Sequence, residues 1–500
     1  MASSYEALRE RLRTINNINK AGAVLAWDQQ TYMPPGGVHD RGAQLATLAQ
    51  LSHGMFTGDD FGELLDLAED EVKDLAYESD EASIVRVTRR DFEKQRKLSA
   101  DLVGRLRRHA TESRNVWVKA RQDDDFPAFA PFLQQTVDLS RETADAYGYE
   151  DRPYDALVDV TEPGMTTADL EEIFGTLREQ QVPLIKEIVS RPQVDDSVLH
   201  QPYDEAKQEA FGKLVVGRLG YDFNRGRLDR TVHPFEIALS IDDVRLTTRY
   251  DPNFLSMSLF GTMHESGHGM YEQGMGRELA GTGLARGGSA GLHESQSRLW
   301  ENIVGRSLRF WKAFYPELQR TFPDQVGNVP LETFHKAINK VHPSFIRVEA
   351  DEMTYNMHIM LRFELENDFL EGRLEVRDAP EAWRARMDEY LGVVPPNDRE
   401  GVLQDTHWST MLGGFAGYCL GNVFGAQFWE KAIADRSGIP DEIEQGEFGS
   451  LLEWLQQNIY RHGRKYQPKE LVQRVTGKPI STQPYIRYLK AKFSEIYGPL

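Results

Sequence analysis

The sequence predicts a mostly α-helical fold in one large domain. Apolar residues recur at helical spacing through most of the 500 residues, beginning with Leu8, Leu12, Ile15 and Ile18. The sequence has no internal repeat, no low-complexity tract and no linker rich in Pro, Gly or Ser that would separate folded halves. Apolar residues make up 40% of the chain, enough for a sizeable interior. Residues 1–500 are therefore predicted to form a single domain.

Two stretches near the N-terminus justify the helical prediction in detail. Ser3 and Glu6 have the spacing of a capping box, which predicts that a helix begins beside them. Residues 81–121 are rich in charge and carry apolar residues at loosely helical intervals, a pattern typical of solvated amphipathic helices. We expect a pair of such helices there.

One segment departs from the helical pattern and predicts β-structure. From Phe235 onward the apolar residues alternate with period two, and the alternation is interrupted only at Asp242 and Asp243. This pattern predicts a β-hairpin or two short strands. Because an isolated hairpin is marginally stable in water, we expect it to pack on helices or to join a small sheet.

The charge balance and the cysteine content exclude several classes of function. The chain carries 58 Lys and Arg against 78 Asp and Glu, for a net charge of −20, which argues against nucleic acid or an anionic membrane as the main partner. Cys419 is the single cysteine, so no disulfide within the chain is possible. Neither a signal-peptide core nor an apolar run long enough to cross a bilayer is present, and we expect a cytoplasmic protein.

The strongest chemical signal is the pair His264 and His268. On a helix these residues lie on one face, a turn apart, so both imidazoles can reach one metal ion. Glu265 follows His264 and can take a proton from a water that the ion activates for attack on a carbonyl. The alternative is a pair of partly buried polar histidines without a ligand.

A catalytic zinc needs a third protein ligand, and Glu294 is the candidate. Leu292, Leu299 and Ile303 indicate a second amphipathic helix that could direct Glu294 toward the two histidines. His293 is a competing ligand, but it points about 100° around the helix from Glu294, so only one of the two is expected to coordinate. The alternative for Glu294 is a solvated carboxylate.

Several motifs in register resemble one family, the carboxypeptidase Taq family of zinc metallocarboxypeptidases. Near the N-terminus, the family pattern is matched by the stretch from Trp27 to Gln29 and by residues 33–37. The principal motifs, in chain order, are Asp-x-Arg-x-Thr at 243–247, the zinc motif at 264–268, His-Glu-Ser-Gln at 293–296, Ile-Arg-x-x-Ala-Asp at 346–351 and Gly-x-x-Gln-Asp-x-His-Trp at 401–408. The resemblance covers the chain from about residue 5 to the C-terminus.

The resemblance implies both a fold and a metal centre. The family fold is similar to those of angiotensin-converting enzyme and neurolysin, which implies a deep active-site groove between helical layers. His264, His268 and Glu294 would bind one Zn²⁺, and Glu265 would be the general base that later protonates the leaving amine. The same ligands also bind Co²⁺ and other divalent ions. Family members are commonly homodimers, so a homodimer acting on peptides is expected.

Two arginines are candidates for holding the free C-terminal carboxylate of a substrate. Arg347 and Arg245 lie in family motifs, and a guanidinium can bind a carboxylate through two parallel hydrogen bonds. Arg347 has an alternative in Asp351, four residues on, as an ordinary helix-surface pair. Arg245 has an alternative in Asp243 across the hairpin turn.

His407 and Tyr418 are candidates for stabilising the oxyanion, since related peptidases use a His and a Tyr downstream of the zinc motif. The chain departs from the family here. Members usually read Gly-Tyr-Phe-Pro-Thr-Tyr, whereas residues 413–418 read Gly-Gly-Phe-Ala-Gly-Tyr, so Tyr418 is the tyrosine that stretch retains. For His407 the alternative is a packed histidine beside Trp408.

The function that follows is removal of single C-terminal residues from peptides with broad specificity. One alternative is a zinc oligopeptidase that cleaves internally, and another is a non-catalytic peptide-binding protein on the same scaffold. The substrate main chain is expected to add as a strand along the hairpin, around residues 244–250.

Overall fold

The computed structural model describes residues 3–500 and confirms the mostly α-helical prediction. Within those residues lie 21 α-helices and a small three-stranded sheet. The first ten helices are α1 Ser4–Thr31, α2 Val38–Thr57, α3 Asp59–Val72, α4 Asp80–Arg96, α5 Ala100–Asp123, α6 Phe126–Tyr147, α7 Pro153–Thr161, α8 Thr167–Val189, α9 Glu205–Leu219 and α10 Leu255–Gln273. The remainder are α11 Ala290–Arg298, α12 Leu308–Thr321, α13 Pro323–Val326, α14 Leu331–Ile338, α15 Tyr355–Leu370, α16 Ala379–Leu391, α17 Ala416–Asp435, α18 Ile439–Glu444, α19 Gly449–Asn458, α20 Pro468–Thr476 and α21 Gln483–Tyr497.

The N-terminal helices follow the sequence pattern closely. The Ser3 hydroxyl accepts a hydrogen bond from the Glu6 backbone N–H, and the Glu6 carboxylate accepts one from the Ser3 backbone, which completes the predicted capping box of α1. The expected helix pair over 81–121 corresponds to α4 and α5. Each of these two begins at a serine whose hydroxyl accepts a backbone hydrogen bond in the first turn, as helix starts commonly do.

The predicted hairpin is present and belongs to a mixed sheet. Strands β2 (Glu236–Ser240) and β3 (Asp243–Thr248) pair antiparallel, and β1 (Gly226–Arg230) pairs parallel to β3 on its other side. The strand order is therefore β1-β3-β2, with β3 in the middle.

The expectation that a substrate adds along residues 244–250 is wrong. Both edges of β3 are already hydrogen-bonded to neighbouring strands, so its backbone has no free edge to offer a peptide. Only the outer strands keep such an edge, and on β2 the Lys20 side chain donates a hydrogen bond to the Ala238 carbonyl (2.5 Å).

Apolar side chains gather in two clusters. The larger runs from α5 to α21 and surrounds α10, α11, α15 and α17. The smaller holds α1, α3 and α4 together and includes Leu279 and Leu284 from the glycine-rich connection between α10 and α11. The N-terminal helices are thus joined by buried apolar contacts to the segment that precedes α11. Over residues 3–500, no helix combines the length and the apolar character that crossing a membrane requires.

Candidate metal centre

The two histidines and the glutamate selected from the sequence lie together in the structure. His264 and His268 project from one face of α10, with ring centroids 4.9 Å apart. Oε2 of Glu294, on α11, lies 3.6 Å from Nε2 of His264 and 3.4 Å from Nε2 of His268. One donor atom from each residue lies within 4.8 Å of the others, close enough to hold a single ion. This set of two histidines and a carboxylate is typical of catalytic zinc sites.

Close helix packing brings Glu294 to the histidines. α11 lies between α10 and α17, and glycines occupy both contacts. A Cβ at Gly421 would come within 2.5 Å of Cγ of Glu294, and one at Gly267 within 2.6 Å of the Gln296 carbonyl oxygen. Because real side chains do not tolerate such approaches, only glycine lets the three helices come this close.

Arg298 orients the Glu294 carboxylate. Its Nε donates to Oε1 of Glu294 at 2.7 Å, which leaves Oε2 facing the histidines. The Ser297 hydroxyl also donates to Oε2 (3.2 Å). Burial disfavours a charged carboxylate, but Arg298 and the two imidazoles outweigh it and hold the pKa of Glu294 well below its usual range. The residue is therefore an anion, the form in which a carboxyl group binds a metal ion.

His268 has the protonation state of a ligand. Burial and the neighbouring His293 lower its pKa to about 3, so the ring is neutral at physiological pH. His293 itself stacks on His268, with ring centroids 4.4 Å apart, and its Nε2 lies 3.0 Å from Oε1 of Glu272. His293, the competing ligand candidate, therefore faces another carboxylate and is not part of the group of three donors.

Sequence reasoning missed Glu301, which lies behind His264. Oε2 of Glu301 is 2.9 Å from Nδ1 of His264, while Arg298 and Arg306 lie 3.5 and 3.3 Å from the same carboxylate. After α11 the chain continues as a π-helical turn, Leu299–Val304, which changes the direction in which its side chains point. The one signal in the sequence was the interval of seven residues between Glu294 and Glu301, which corresponds to two turns of a helix.

Glu265 is buried beside the three donors. Burial raises its pKa to about 7, against the opposing effect of His264. A carboxyl group with a pKa near neutrality can both accept and return a proton at physiological pH. This matches the behaviour expected of a general base that later acts as an acid.

A cavity of about 470 Å³ opens beside the three donors. His268, Glu294 and Tyr418 contribute to its wall, as do Glu272 and Arg286.

Arg347 does not make the surface pair with Asp351 that was its alternative. It is buried, and its Nε and Nη2 both contact Asp405, at 3.0 and 2.8 Å, while Nη1 donates to the Tyr355 hydroxyl at 3.1 Å. Arg362 contacts the same Asp405 through its Nε at 2.7 Å. Two arginines share one carboxylate, so the buried cluster of Arg347, Arg362 and Asp405 retains a net positive charge.

Arg245 makes the alternative pair that the sequence suggested. Its Nε and Nη2 each donate to the Asp243 carboxylate at 2.8 Å, and its guanidinium lies over the Trp27 ring, 4.4 Å from the centroid. The two guanidinium N–H groups that a substrate carboxylate would use are therefore already bonded to Asp243.

His407 and Tyr418 lie near each other and near Arg347. Their ring centroids are 6.2 Å apart, and the guanidinium of Arg347 lies 5.2 Å from the Tyr418 ring. Tyr418 lines the cavity directly. His407 packs against Phe415 (4.4 Å between centroids) but keeps 30% of its side chain exposed, so it is not a fully packed core residue. Burial lowers its pKa to about 4, which keeps the ring neutral.

These residues fit a divalent ion. Three donors converge, one of them is a buried anion, and Glu301 and Arg298 contact His264 and Glu294 from behind. A large helical fold with two histidines on one helix and a glutamate on the next is the arrangement of a metallopeptidase. Comparison with known proteins identifies the family.

The chain belongs to the family described as carboxypeptidase Taq (M32) metallopeptidase, whose model matches residues 7–493. It is 41% identical to thermostable carboxypeptidase 1 of Thermus thermophilus over 99% of both chains, and 36% identical to carboxypeptidase 1 of Bacillus subtilis over 97% of both. The crystal structure of the M32 carboxypeptidase from Deinococcus radiodurans superposes with a TM-score of 0.97, at 40% identity and 99% coverage of both chains. The chain is thus a metallocarboxypeptidase that uses a divalent metal, and the predicted family is confirmed.

Proposed function

We propose that this protein is a zinc-dependent carboxypeptidase that releases single residues from the C-termini of peptides with broad specificity. The convergence of Glu294 with His264 and His268 carries the proposal, because this donor set is the one catalytic zinc commonly takes. When bound there, the ion would polarise the scissile carbonyl and lower the pKa of a water molecule.

Glu265 is the proposed general base. It lies one residue from His264, and its pKa near 7 lets it take a proton from the attacking water and return it to the leaving amine. Burial excludes competing solvent from its carboxyl group. The same side chain can therefore serve both halves of the reaction.

Tyr418 and His407 are the proposed donors to the oxyanion. Tyr418 supports this role best, because it lines the cavity and burial raises the pKa of its hydroxyl, which keeps the proton available for donation. His407 is a neutral ring beside it. Of the two, we expect loss of the Tyr418 hydroxyl to cost more activity.

The arginines have more limited proposed roles in binding the substrate carboxylate. Arg347 contributes the excess positive charge that it shares with Arg362 and Asp405, which attracts an anion toward the Tyr418 side of the cavity. Arg245 remains a candidate only if a substrate displaces Asp243, because both guanidinium contacts are already made.

Release of amino acids from paired peptides tests the proposal. A short peptide with a free C-terminus is expected to lose residues one at a time, and the same peptide with a C-terminal amide is expected to resist. Cleavage of both at internal bonds would favour the oligopeptidase alternative. Removal of the metal with a chelator is expected to abolish release, and added Zn²⁺ to restore it.

Glu265→Gln tests whether the site is catalytic. The variant is expected to bind metal normally and to lose about two to four powers of ten in rate, the usual contribution of a general base. Full activity in this variant would refute the proposed base. If the unaltered protein binds peptides without cleaving them, the non-catalytic alternative holds.

The assembly and location of the protein remain predictions. The resemblance to a family of common homodimers favours a homodimer, which light scattering in solution tests directly. A cytoplasmic location rests on the sequence composition and is tested by fractionation of the source cells.

A further inference from the structure

Arg286 lines the cavity with no ion-pair partner. Within residues 3–500, no carboxylate oxygen lies within 4.0 Å of its guanidinium nitrogens, and no hydrogen bond from its side chain is present. Its side chain is exposed at the wall of the cavity that also holds His268, Glu294 and Tyr418. An unpaired cation facing the site of reaction calls for a physical reason.

The other arginines near the site are already paired with carboxylates. Arg464, the second arginine of the cavity wall, donates two hydrogen bonds to Asp91, at 2.6 and 2.9 Å. Arg298 is paired with Glu294, and Arg347 with Asp405. Arg286 alone among the cavity-lining arginines of the described chain therefore keeps its fork free for a ligand.

The backbone around Arg286 is held rigidly. The N–H of Gly287 donates to Oε1 of Glu272 at 3.1 Å, and the N–H of Gly288 donates to the Tyr271 hydroxyl at 3.3 Å. A Cβ at Gly287 would clash with the His293 ring, so this glycine lets the loop pack directly against it. On the other side of Arg286, Leu284 is buried in the smaller apolar cluster.

The backbone beside Arg286 is connected to a metal donor through two close contacts. Gly287 packs on His293, and His293 stacks on His268, so one aromatic ring separates the loop from a donor. An extended peptide advances about 3.4 Å per residue, so groups one or two residues from the scissile bond lie roughly 3–7 Å away from it. Arg286 lines the same cavity as His268 and Glu294, so a peptide bound in that cavity can present such a group to its guanidinium.

We propose that Arg286 binds a carboxylate of the peptide substrate within one or two residues of the scissile bond. This rests on the proposed carboxypeptidase function and names a group that recognises a carboxylate of the substrate. The carboxylate is either the C-terminal α-carboxylate or an acidic side chain. Both would receive two parallel hydrogen bonds from the planar guanidinium.

Steady-state kinetics of Arg286→Ala with three tetrapeptides test the proposal and separate the two sources. The peptides are Ala-Ala-Ala-Ala, Ala-Ala-Ala-Glu and Ala-Ala-Glu-Ala, all with free C-termini. If Arg286 binds the α-carboxylate, KM rises about tenfold for all three, equal to about 1.4 kcal/mol. If it binds a side chain, KM rises only for peptides that contain Glu. An unchanged KM for all three, or a fall in kcat alone, overturns the proposal.

Two further variants serve as controls. Arg286→Lys keeps the charge but loses the planar fork, so it is expected to recover part of the loss. Arg218→Ala removes another exposed, unpaired arginine, on α9 away from the cavity, and is expected to leave KM unchanged for all three peptides.

A binding measurement keeps this test independent of turnover. Calorimetry with Ala-Ala-Ala-Glu, which carries both kinds of carboxylate, is done on the Glu265→Gln protein with and without Arg286→Ala. We expect about tenfold weaker binding when Arg286 is absent. Equal affinities would refute the role of Arg286 even if the protein cleaves peptides, whereas weaker binding in a protein that cleaves nothing would refute only the proposed function.

Discussion

The two ring nitrogens of His264 face two different carboxylates. Nε2 points to Glu294, at 3.6 Å, and Nδ1 lies 2.9 Å from Oε2 of Glu301. A carboxylate that accepts the Nδ1 proton leaves Nε2 free of hydrogen and increases its basicity, which suits a metal ligand. Glu301 thereby sets both the tautomer and the orientation of the ring.

Replacement of Glu301 with Gln is expected to weaken metal binding about 10- to 100-fold, the usual effect of removing a carboxylate behind a ligating histidine. Competition with a chromophoric chelator measures the affinity. Glu172→Gln, an exposed change on α8, is the matched control and is expected to have no effect. Equal metal affinities in the two variants would contradict the assigned role of Glu301.

Gly421→Ala is expected to displace Glu294 and to destabilise the protein. The new Cβ would lie 2.5 Å from Cγ of Glu294, and overpacking of this kind costs about 1–3 kcal/mol. Both the melting temperature and the metal affinity are therefore expected to fall. Gly175→Ala in α8 is the control, because nothing lies within 4 Å of its Cβ position and alanine favours a helix by about 0.5–1 kcal/mol. If Gly421→Ala behaves like Gly175→Ala, the close packing is not needed.

Asp405→Asn is expected to destabilise the fold by about 3–5 kcal/mol, because it leaves Arg347 and Arg362 buried without a negative partner. Thermal unfolding measures the loss. The same change at Asp441, an exposed partner of Arg309, is expected to alter the melting temperature little, since solvent screens that pair. A small effect at Asp405 would mean that solvent reaches the two arginines.

Stability is expected to fall as pH rises from about 4.5 to 7, in part because of Glu366. Burial raises the pKa of this carboxyl from 4.5 to about 7, so in that range the native state holds a proton that the unfolded chain has lost. Unfolding then releases a proton, and a higher pH favours it. The free energy of unfolding in urea at pH 5 and pH 7.5 measures the effect.

Glu366→Gln separates this contribution from the rest of the protein. Glu366 accepts hydrogen bonds from Trp408, Tyr154 and Gly413 at 2.9–3.1 Å. The amide NH2 group of a glutamine would face one of these three donors. Two donors that face each other leave a hydrogen bond unmade, which costs about 1–3 kcal/mol of stability at all pH values. The variant is therefore expected to be less stable but to depend less on pH between 5 and 7.5. The same pH dependence in both proteins would exclude Glu366 as its source.

Local periodicity predicted the elements that interact with their own sequence neighbours. The capping box of α1, the pair α4 and α5, and the hairpin of β2 and β3 all follow from spacings within a few residues. Strand β1 was not predicted. It holds the single apolar residue Leu228 among charged and small neighbours, and its place in the sheet comes from backbone pairing with β3 rather than from a side-chain pattern.

The candidate site likewise has one part that the sequence predicted and another that it did not. The four-residue spacing of His264 and His268, together with the motif that contains Glu294, predicted which side chains would meet. The contacts of Arg347 could not be predicted, because its carboxylate partner is distant in sequence. For Arg347, a candidate for the substrate carboxylate, the sequence offered Asp351, four residues away, as the alternative partner, but the side chain pairs with Asp405, 58 residues away. Arg286 was not singled out, because the sequence does not show whether a guanidinium has an ion-pair partner.

The order of residues alone determined the helical class, the family and the set of donors, since these follow from local spacings and from short sequence motifs. The tertiary structure decided which carboxylate stands behind His264, which edge of the sheet is open and which arginine keeps its charge unpaired. The physical reason is that ion pairing and close packing act through space between helices whose contacts are set by the whole fold. A pattern confined to neighbouring residues carries no information about such contacts.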